Sequence, residues 1–480
     1  MGKLHQAHTS ISCAIGNVLT GLLYVWPSYT LHLYTREDTT LLSAPMTEVE
    51  SSLVGSLPSL GAMFGTAVAG WVMSTFGRQK SGILIAVPLM ISWVVIDLTK
   101  SSTVVLIARF LSGASGGAFL VHSPIYISEV AEESIRGTLA SAPIVCYCVG
   151  ALMSYLLGWF LAYRYILWAN IAFCILYMGL MLTVKESPVF LIRKKKEEEA
   201  RLAISYYRGA PVSSTIVLEE FSRLKQQLTP AVELIAVDTG AKEEEAEKEK
   251  LNKDMQEREP EQKMSSLKIL FTSCSSRRAF FVVGICLSTQ VMMGMVPVQV
   301  YAKDIFKQAA PGLSSHFCSV MFALVLLVGS TLSAVLTDKF GRKILIVASA
   351  VAVTLCLSGL GILLHTSIAP PWVTAVLILF YCCAFMFGAG SVPYVLLAEC
   401  FTPEVQSIAS MILLEWVWLL NFVVVGIFPF MIKFFGIHGS FYIFACFAVF
   451  DIFVGLFIIP ETKGLTNEQI QETLLRGRKK

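Results

Sequence analysis

The stretch TDKFGRKILI, residues 337–346, lies between two long apolar runs and is rich in charge. Four of the six residues from Asp338 to Lys343 are charged. A related stretch, STFGRQKSG, occupies residues 74–82 and also separates two apolar runs. Similar charged connections therefore recur at two distant points of a long apolar series, which indicates an internal repeat.

The composition indicates that a lipid bilayer surrounds much of the chain. Of its 480 residues, 55% are hydrophobic and 15% are charged, whereas a soluble domain carries about 25% charged residues. Apolar runs that do not alternate with polar residues, and that have the roughly 17–25 residues needed to cross a bilayer, predict transmembrane helices. Twelve such runs lie at 9–30, 52–73, 82–98, 103–126, 138–160, 163–184, 278–302, 316–336, 343–364, 373–398, 408–434 and 437–459.

Lysine and arginine residues concentrate in alternate connections, among them those at 78–80 and 339–343 and the tail RGRKK. Positive charge favours the cytoplasmic side of a membrane. We therefore expect a multi-pass membrane protein with both termini in the cytoplasm.

The segment 185–276 interrupts the apolar series with mixed charges and few aromatic residues. It predicts short solvated helices with a flexible charged stretch at 240–263, and its ends could pack under the membrane domain. The sequence thus divides into a six-helix bundle at 1–184, a cytosolic charged and helical linker at 185–276, a second six-helix bundle at 277–460 and a cytosolic tail at 461–480.

Three sequence marks recur in the same order in the two halves. The tripeptide FGR lies at 76–78 and again at 340–342. A glutamate follows the arginine after 51 residues in the first half and 57 in the second, and another follows it after 108 and 119 residues. Two six-helix halves around a central cavity are a transporter architecture, so this repeat predicts a transporter. The glutamates are Glu129 and Glu186, then Glu399 and Glu461.

The motifs FGRQK, SPIYISEVAEESIRG, KESPVFL, DKFGRK, GAGSVPYVLLAECF and PETKG follow one another along nearly the whole chain. In this order they resemble the sugar-porter family of the major facilitator superfamily, and within it the insect facilitated trehalose and hexose transporters. The resemblance implies an all-α membrane protein with the major facilitator fold, whose twelve transmembrane helices form two pseudo-symmetric bundles. It further implies a facilitative transporter with a small sugar as substrate, in the plasma membrane or, alternatively, in intracellular vesicles.

The resemblance also implies a gating latch, a network of charged side chains at the inner ends of the helices that holds the outward-open state. An arginine can form two parallel hydrogen bonds with a carboxylate, and we expect opening towards the cytoplasm to separate such pairs as the halves rock. Charges that only orient the helices in the membrane are the alternative. The predicted latch residues are Arg78, Glu129, Arg136, Glu186, Asp338, Arg342, Glu399 and Glu461.

The stretch QVMMGMVPVQVY, residues 290–301, holds the strongest candidate for substrate binding. A glutamine in mid-membrane is costly unless it faces a cavity or a partner. Gln290 is therefore expected to bind the substrate or, alternatively, to bond a neighbouring helix. Helical periodicity places Gln290, Gly294 and Tyr301 on one stripe. With the positions that the resemblance adds, the predicted substrate-binding residues are Gln290, Gly294, Tyr301, Tyr394, Trp418 and Asn421.

Six positions at which the resemblance implies a polar partner for a sugar are apolar in this chain. A buried hydroxyl without a partner costs about 1–3 kcal/mol, so a hexose would bind weakly unless water, Gln299, Tyr147 or His122 compensates. Three functions stay open: a low-affinity facilitator of trehalose or a hexose, a carrier of a less hydroxylated solute, and a non-transporting sensor that retains the fold. The apolar positions are Ile144, Val291, Val296, Leu326, Met386 and Val417.

The resemblance implies that proton-driven relatives carry an acid in the first crossing, whereas this chain has none there. We therefore expect facilitated diffusion. Glu415 is the exception to test, because an intramembrane carboxylate can carry a proton, although it can equally pair with a nearby cation. Without a catalytic constellation or phosphate-binding loop, we expect no enzyme activity, no cofactor or metal and no nucleic-acid partner. The sugar and the oligomeric state stay open.

Overall fold

Helices make up every regular element in the part of the chain that the structure describes. The computed structural model describes residues 2–228, 266–463, 465 and 467–476, apart from side chains at a few helix positions. Within these described ranges, eleven helical stretches are long and apolar enough to cross a membrane.

The last stretch, Val405–Phe457, has 53 residues and would extend about 80 Å as one straight helix. That length far exceeds the ~30 Å hydrocarbon core of a bilayer. Gly436 interrupts the stretch with a φ of +72°, so it crosses twice, and the part of the chain that the structure describes crosses twelve times in all. The predicted all-α fold of twelve transmembrane helices is confirmed.

The N-terminal half begins with a crossing that Pro27 interrupts, because proline lacks the amide hydrogen that would continue the helix. We call the side on which the third and fourth helices meet, at Gly77, the inner face. The helices of this half are α1 (Gly2–Val25), α2 (Pro27–Tyr34), α3 (Glu48–Phe76), α4 (Arg78–Leu98), α5 (Ser102–Val130), α6 (Glu133–Ala140), α7 (Ala142–Phe160) and α8 (Tyr163–Thr183).

Three helices follow at the inner face: α9 (Pro188–Arg193), α10 (Glu197–Arg208) and α11 (Thr215–Leu228). They dock onto the start of α1, where the Gln6 side chain donates to the Tyr207 carbonyl at 2.7 Å. The helical part of the predicted linker therefore packs under the first bundle, whereas the charged stretch at 240–263 lies outside the described residues. Their apolar sides share a small core made of Leu191, Ala200, Ala203, Ile204, Val217 and Phe221.

The C-terminal half repeats this plan with more interruptions. Its first crossing breaks at Gly294, and its fourth breaks between Phe387 and Val392. Gly341 turns the chain between two helices with a φ of +91°, the same value as Gly77 in the first half. The helices are α12 (Ser266–Thr272), α13 (Cys274–Met292), α14 (Met295–Val300), α15 (Ala302–Ala309), α16 (Ser315–Phe340), α17 (Arg342–Thr366), α18 (Pro371–Phe387), α19 (Val392–Glu399), α20 (Pro403–Phe457) and α21 (Asn467–Arg476).

Glycines let α3 and α5 pack closely inside the first bundle. The stretch GAMFG of α3 faces GASGG of α5. A Cβ atom on Gly65 would overlap the backbone of Ala114, and one on Gly117 would overlap that of Ala62. Small residues spaced four apart allow this close approach of membrane helices, so the glycine-rich run of α5 serves packing.

The two halves meet along two antiparallel helix pairs, α3 with α20 and α7 with α16. At the outer end of the first pair, Lys433 Nζ lies 2.7 Å from the Glu48 carboxylate. Deeper in the membrane, the Thr66 hydroxyl donates to Glu415 Oε1 at 2.6 Å. These contacts join the bundles along α3 and α20 from the outer face inward.

The turn at Gly77 can be tested by substitution. A residue with a Cβ rarely adopts its φ of +91°, and the added atom would fall on the Glu186 carboxylate. We expect Gly77→Ala to lower the stability of the detergent-solubilised protein by about 1–3 kcal/mol, measured by thermal unfolding. Gly70→Ala, where a Cβ meets nothing within 4 Å, is the control and should not destabilise. An equal loss in both variants would contradict this account of the turn.

Candidate substrate site and charged clusters

Gln290 lies near the end of α13, where the first crossing of the second bundle breaks. Its side chain is buried, and Nε2 donates to the Gly390 carbonyl at 3.0 Å, in the break between α18 and α19. Oε1 has no hydrogen-bond partner. The side chain of Tyr394 lies beside this amide. The structure therefore places an incompletely bonded amide and an aromatic ring together at two helix breaks.

The stripe predicted along this crossing is wrong. Gly294 adopts a left-handed conformation with a φ of +82° and ends the helix, so Tyr301 does not continue the face of Gln290. The Tyr301 hydroxyl donates to the Val425 carbonyl at 3.4 Å, and its ring packs on Phe428. Tyr301 instead lines an outer cavity of about 460 Å³ between the two halves.

Trp418 and Asn421 lie on the part of α20 that faces the first bundle. The Trp418 ring stacks on Tyr24 of α1, with ring centroids 6.1 Å apart. The Asn421 side chain is 6% exposed, and its Oδ1 has no hydrogen-bond partner. The first half thus contributes a ring to the space between the halves, and the second half contributes a ring and an amide.

Two of the three residues expected to compensate for lost polar groups lie in this region. The Tyr147 hydroxyl of α7 donates to Gln299 Oε1 of α14 at 3.3 Å, while Gln299 Nε2 has no partner. His122 does not contribute, because its Nε2 contacts the Arg78 carbonyl at 2.7 Å and its Nδ1 contacts the Cys13 sulfur at 3.4 Å.

The arrangement suits a neutral ligand with several hydroxyl groups. Buried amide atoms without partners are costly, and a ligand hydroxyl that pairs with each would recover about 1–3 kcal/mol. Aromatic rings supply flat apolar surfaces for the ring faces of such a ligand. The side chains that combine these properties are Tyr24, Tyr147, Gln290, Gln299, Tyr394, Trp418 and Asn421.

The first charged cluster joins three segments of the N-terminal half at the inner face: the start of α4, the end of α5 and residues 186–187 after α8. Arg78 forms two hydrogen bonds with Glu129, Nε to Oε2 at 2.7 Å and Nη2 to Oε1 at 2.5 Å. The Arg78 amide donates to Glu186 at 2.7 Å, and the Ser187 hydroxyl donates to Glu129 at 2.6 Å. Burial raises the pKa of Glu186, against the lowering effect of its hydrogen bonds to backbone amides and of the Arg78 charge.

The second charged cluster repeats this geometry in the C-terminal half. Arg342 Nη2 donates to Glu399 at 2.7 Å, and the Arg342 amide donates to Glu461 at 3.0 Å. The Thr462 hydroxyl donates to Glu399 at 2.6 Å, as Ser187 does in the first half. The side chains of the two other predicted latch residues, Arg136 and Asp338, lie outside the described residues.

The arginine–glutamate pair of each charged cluster lies within a single half, which differs from the expectation that opening the inner side separates the paired groups. The two halves contact each other on the outer side. There the Lys303 amide donates to the Ser28 hydroxyl at 3.1 Å, and Trp159 stacks with His316. Both charged clusters are nevertheless formed. Rocking moves each half as a body, so a pair inside one half is not stretched.

Two carboxylates lie inside crossings of the second bundle. Glu415 bonds Thr66 of the other half. Asp451 is 3% exposed, and its Oδ1 accepts a hydrogen bond from the Thr289 hydroxyl at 2.5 Å. Sequence reasoning missed Asp451, although a single acid in the apolar run FAVFDIFVG is the signal that could have found it.

The fold and the shared central site define a membrane carrier built from two bundles. The sequence matches the family described as "Sugar (and other) transporter" over residues 13–474, and the chain belongs to this family. Two of its similar relatives are facilitated trehalose transporters. The one from Polypedilum vanderplanki is 26% identical over 98% of this chain and 88% of the relative, and the one from Drosophila grimshawi is 26% identical over 98% and 48%.

The chain thus spans about half the length of the Drosophila grimshawi relative, with 48% of it covered. Among solved structures, the xylose transporter XylE from E. coli in a partially occluded inward-open conformation has a similar fold. The TM-score is 0.75 and the identity is 24%, over 96% of this chain and 99% of that one.

The first charged cluster can be tested by replacing its arginine. Arg78→Lys keeps the charge but cannot form the paired bonds to Glu129, so we expect a loss of about 1–3 kcal/mol in thermal stability. Arg164→Lys is the control, because Arg164 is 68% exposed and lies 3.6 Å from Asp97, and exposed pairs contribute only about 0–1 kcal/mol. A loss no larger than that of the control would mean that the paired bonds contribute nothing to stability.

Proposed function

We propose that this chain is a facilitative transporter of a neutral sugar, trehalose or a hexose, and that it works by alternating access. The observation that carries the proposal is the set of buried, unpaired amide atoms on Gln290, Gln299 and Asn421 between the two bundles. Sugar hydroxyls would pair with these atoms, and the neighbouring rings would contact the faces of the sugar. The names of the relatives, which are trehalose transporters, support the same substrate class.

Facilitated diffusion follows from the placement of the carboxylates. The first crossing, Gly2–Tyr34, contains no aspartate or glutamate. Glu415 bonds a hydroxyl of the other half, so we assign it to holding the halves together. Asp451 bonds the Thr289 hydroxyl of its own half, so we assign it to holding helices together within the second bundle. Transport of a neutral sugar then needs no proton.

The inner face is proposed to be the cytoplasmic side of the plasma membrane, because the basic connections gather there. We also propose the predicted domain boundaries at 184, 276 and 460. The two charged clusters are proposed to hold the inner helix ends of each half rigid, so that each bundle rocks as one body. The predicted latch, which would break when the inner side opens, is thereby replaced by two charged clusters that each stabilise one half and stay intact.

A carrier of a less hydroxylated solute is the second candidate. The buried apolar residues Val291 and Val417 support it. Each lies directly next to a candidate binding residue in the sequence. Such a solute would use the aromatic rings more than the amides. Its transport would then depend weakly on Gln290.

Uptake into proteoliposomes tests the proposed function. We expect saturable uptake of radiolabelled trehalose, glucose or fructose, and we expect Gln290→Ala to reduce it at least tenfold, since a lost hydrogen bond of about 1.4 kcal/mol changes affinity tenfold. Gln226→Ala, an exposed position on α11, is the control and should transport normally. A folded protein that takes up none of the three sugars would contradict the proposal.

An imposed pH gradient tests whether transport is uncoupled from protons. We expect uptake to be unchanged by a gradient of either sign, and we expect Glu415→Gln to respond in the same way, because the amide oxygen still accepts the Thr66 bond. Uptake that the gradient drives in the original chain, and that it does not drive in Glu415→Gln, would establish proton coupling instead.

A further inference from the structure

Two histidines of the second bundle meet on the outer face. His365 lies in the last turn of α17, which starts at the inner turn of Gly341 and therefore ends on the outer side. His438 lies two residues after Gly436, where α20 turns back towards the inner face. The centroids of the two imidazole rings are 4.9 Å apart, and the ring planes make an angle of 52°.

The helices that carry the two rings pack closely one turn further in. Gly361 lies four residues before His365 on α17, and Tyr442 lies four residues after His438 on α20. A Cβ atom on Gly361 would overlap the Tyr442 ring, so the glycine allows the two helices to lie this close. Residues four apart are neighbours on one face of a helix. The contact of Gly361 with Tyr442 therefore sets the distance between the two histidines.

The ring nitrogens of this pair are available to a ligand. Among the residues that the structure describes, neither imidazole forms a hydrogen bond or an ion pair, and each contacts the other ring. His365 is exposed and His438 is half-buried, so solvent on the outer side reaches the pair. The two rings thus form a small accessible group of nitrogen donors.

The spacing of the rings suits one metal ion held between them. Zinc binds imidazole nitrogen at about 2.0–2.1 Å and takes tetrahedral geometry. From this bond length and angle, two imidazoles on one ion have centroids about 5 Å apart. The observed 4.9 Å matches that separation. The helices therefore need not move for both rings to bind the same ion.

We propose that His365 and His438 together bind a divalent transition-metal ion, Zn²⁺ or Cu²⁺, on the outer face of the second bundle. Imidazole nitrogen is a suitable ligand for both ions. No group of three or more His, Cys, Asp or Glu side chains that could hold a metal occurs within the described residues, so water completes the coordination. The sequence does not reveal this pair, because two distant histidines show no metal-ligand spacing.

A metal ion at this position connects the third and the sixth crossing of the second bundle. It also fixes the corner at Gly436, because the His438 ring lies against that glycine. Both ligands belong to one half, so rocking of the halves does not stretch the metal bonds. A ligand that binds only the folded state raises its stability. The proposal does not depend on which solute the chain transports.

Thermal unfolding of the detergent-solubilised protein, freed of metal with EDTA and then desalted, is the first measurement. We expect zinc chloride to raise the thermal midpoint by a few degrees, with saturation. His365→Ala and His438→Ala should each abolish the rise. His316→Ala is the matched control, because His316 also lies on the outer side but stacks on Trp159, and it should keep the rise. A rise that persists in both variants overturns the proposal.

Thiols have to be removed from this test, because cysteine also binds zinc. Cys274 and Cys446 are the exposed ones among the twelve cysteines. Replacing both with serine gives the background in which the original histidines and their variants are compared. A zinc effect that disappears in this background with both histidines present would assign the binding to thiols and overturn the proposal.

Electron paramagnetic resonance of bound Cu²⁺ identifies the ligands directly. Cu²⁺ binds nitrogen ligands more tightly than Zn²⁺ does, and its spectrum reports the imidazoles that coordinate it. With Cu²⁺ kept below the protein concentration, we expect two coordinated imidazoles when both histidines are present, one in each single variant and none in the double variant. A spectrum without two imidazoles in the protein that keeps both histidines overturns the proposal, whether or not the variants fold.

Discussion

A polar group inside the hydrocarbon core of a bilayer has to find its partner within the protein, and the rest of this structure depends on that constraint. Helical backbones satisfy it along each crossing. Arg109, which is fully buried, meets it in part, because Nε and Nη1 donate to carbonyls of two neighbouring helices at 3.0 and 2.9 Å, while Nη2 has no partner. Unpaired amides on Gln290, Gln299 and Asn421 are costly in the same medium, and a hydroxylated ligand is the partner that would complete them.

The two halves stabilise the inner ends of their helices with the same set of contacts. In each, a glycine with a φ of +91° turns the chain between two helices, and a glutamate from the end of the half accepts hydrogen bonds from backbone amides that follow the turn. A hydroxyl next to that glutamate then bonds the carboxylate of the arginine pair. Repetition of the whole set, down to the hydroxyl, fits two rigid bodies that move about a site between them.

The halves differ where they enclose the central site. The second bundle breaks its helices at Gly294 and between Phe387 and Val392, and these breaks bring the amide of Gln290 to the Gly390 carbonyl. The first bundle supplies tyrosines of α1 and α7, which reach across to the second bundle. The second bundle thus meets the central site with short helix segments, of which α14, with six residues, is the shortest.

The number of crossings, their helical nature and the repeat of charged motifs could all be read from the sequence. Bilayer thickness sets the length of an apolar run, and local spacing reveals a duplication, so neither requires knowledge of the fold. The pairing of Arg78 with Glu129 could also be anticipated from the recurring spacing, although not the fact that each pair stays within one half.

Only the tertiary structure decided which polar groups meet. Helical periodicity placed Tyr301 beside Gln290, but one left-handed glycine redirects the chain and sends Tyr301 to the outer cavity. His122 was a candidate for the site, yet packing turns it onto the Arg78 carbonyl. Contacts such as that of Tyr147 with Gln299 join residues 152 positions apart. They depend on how the two bundles are oriented, and a local sequence pattern does not predict that orientation.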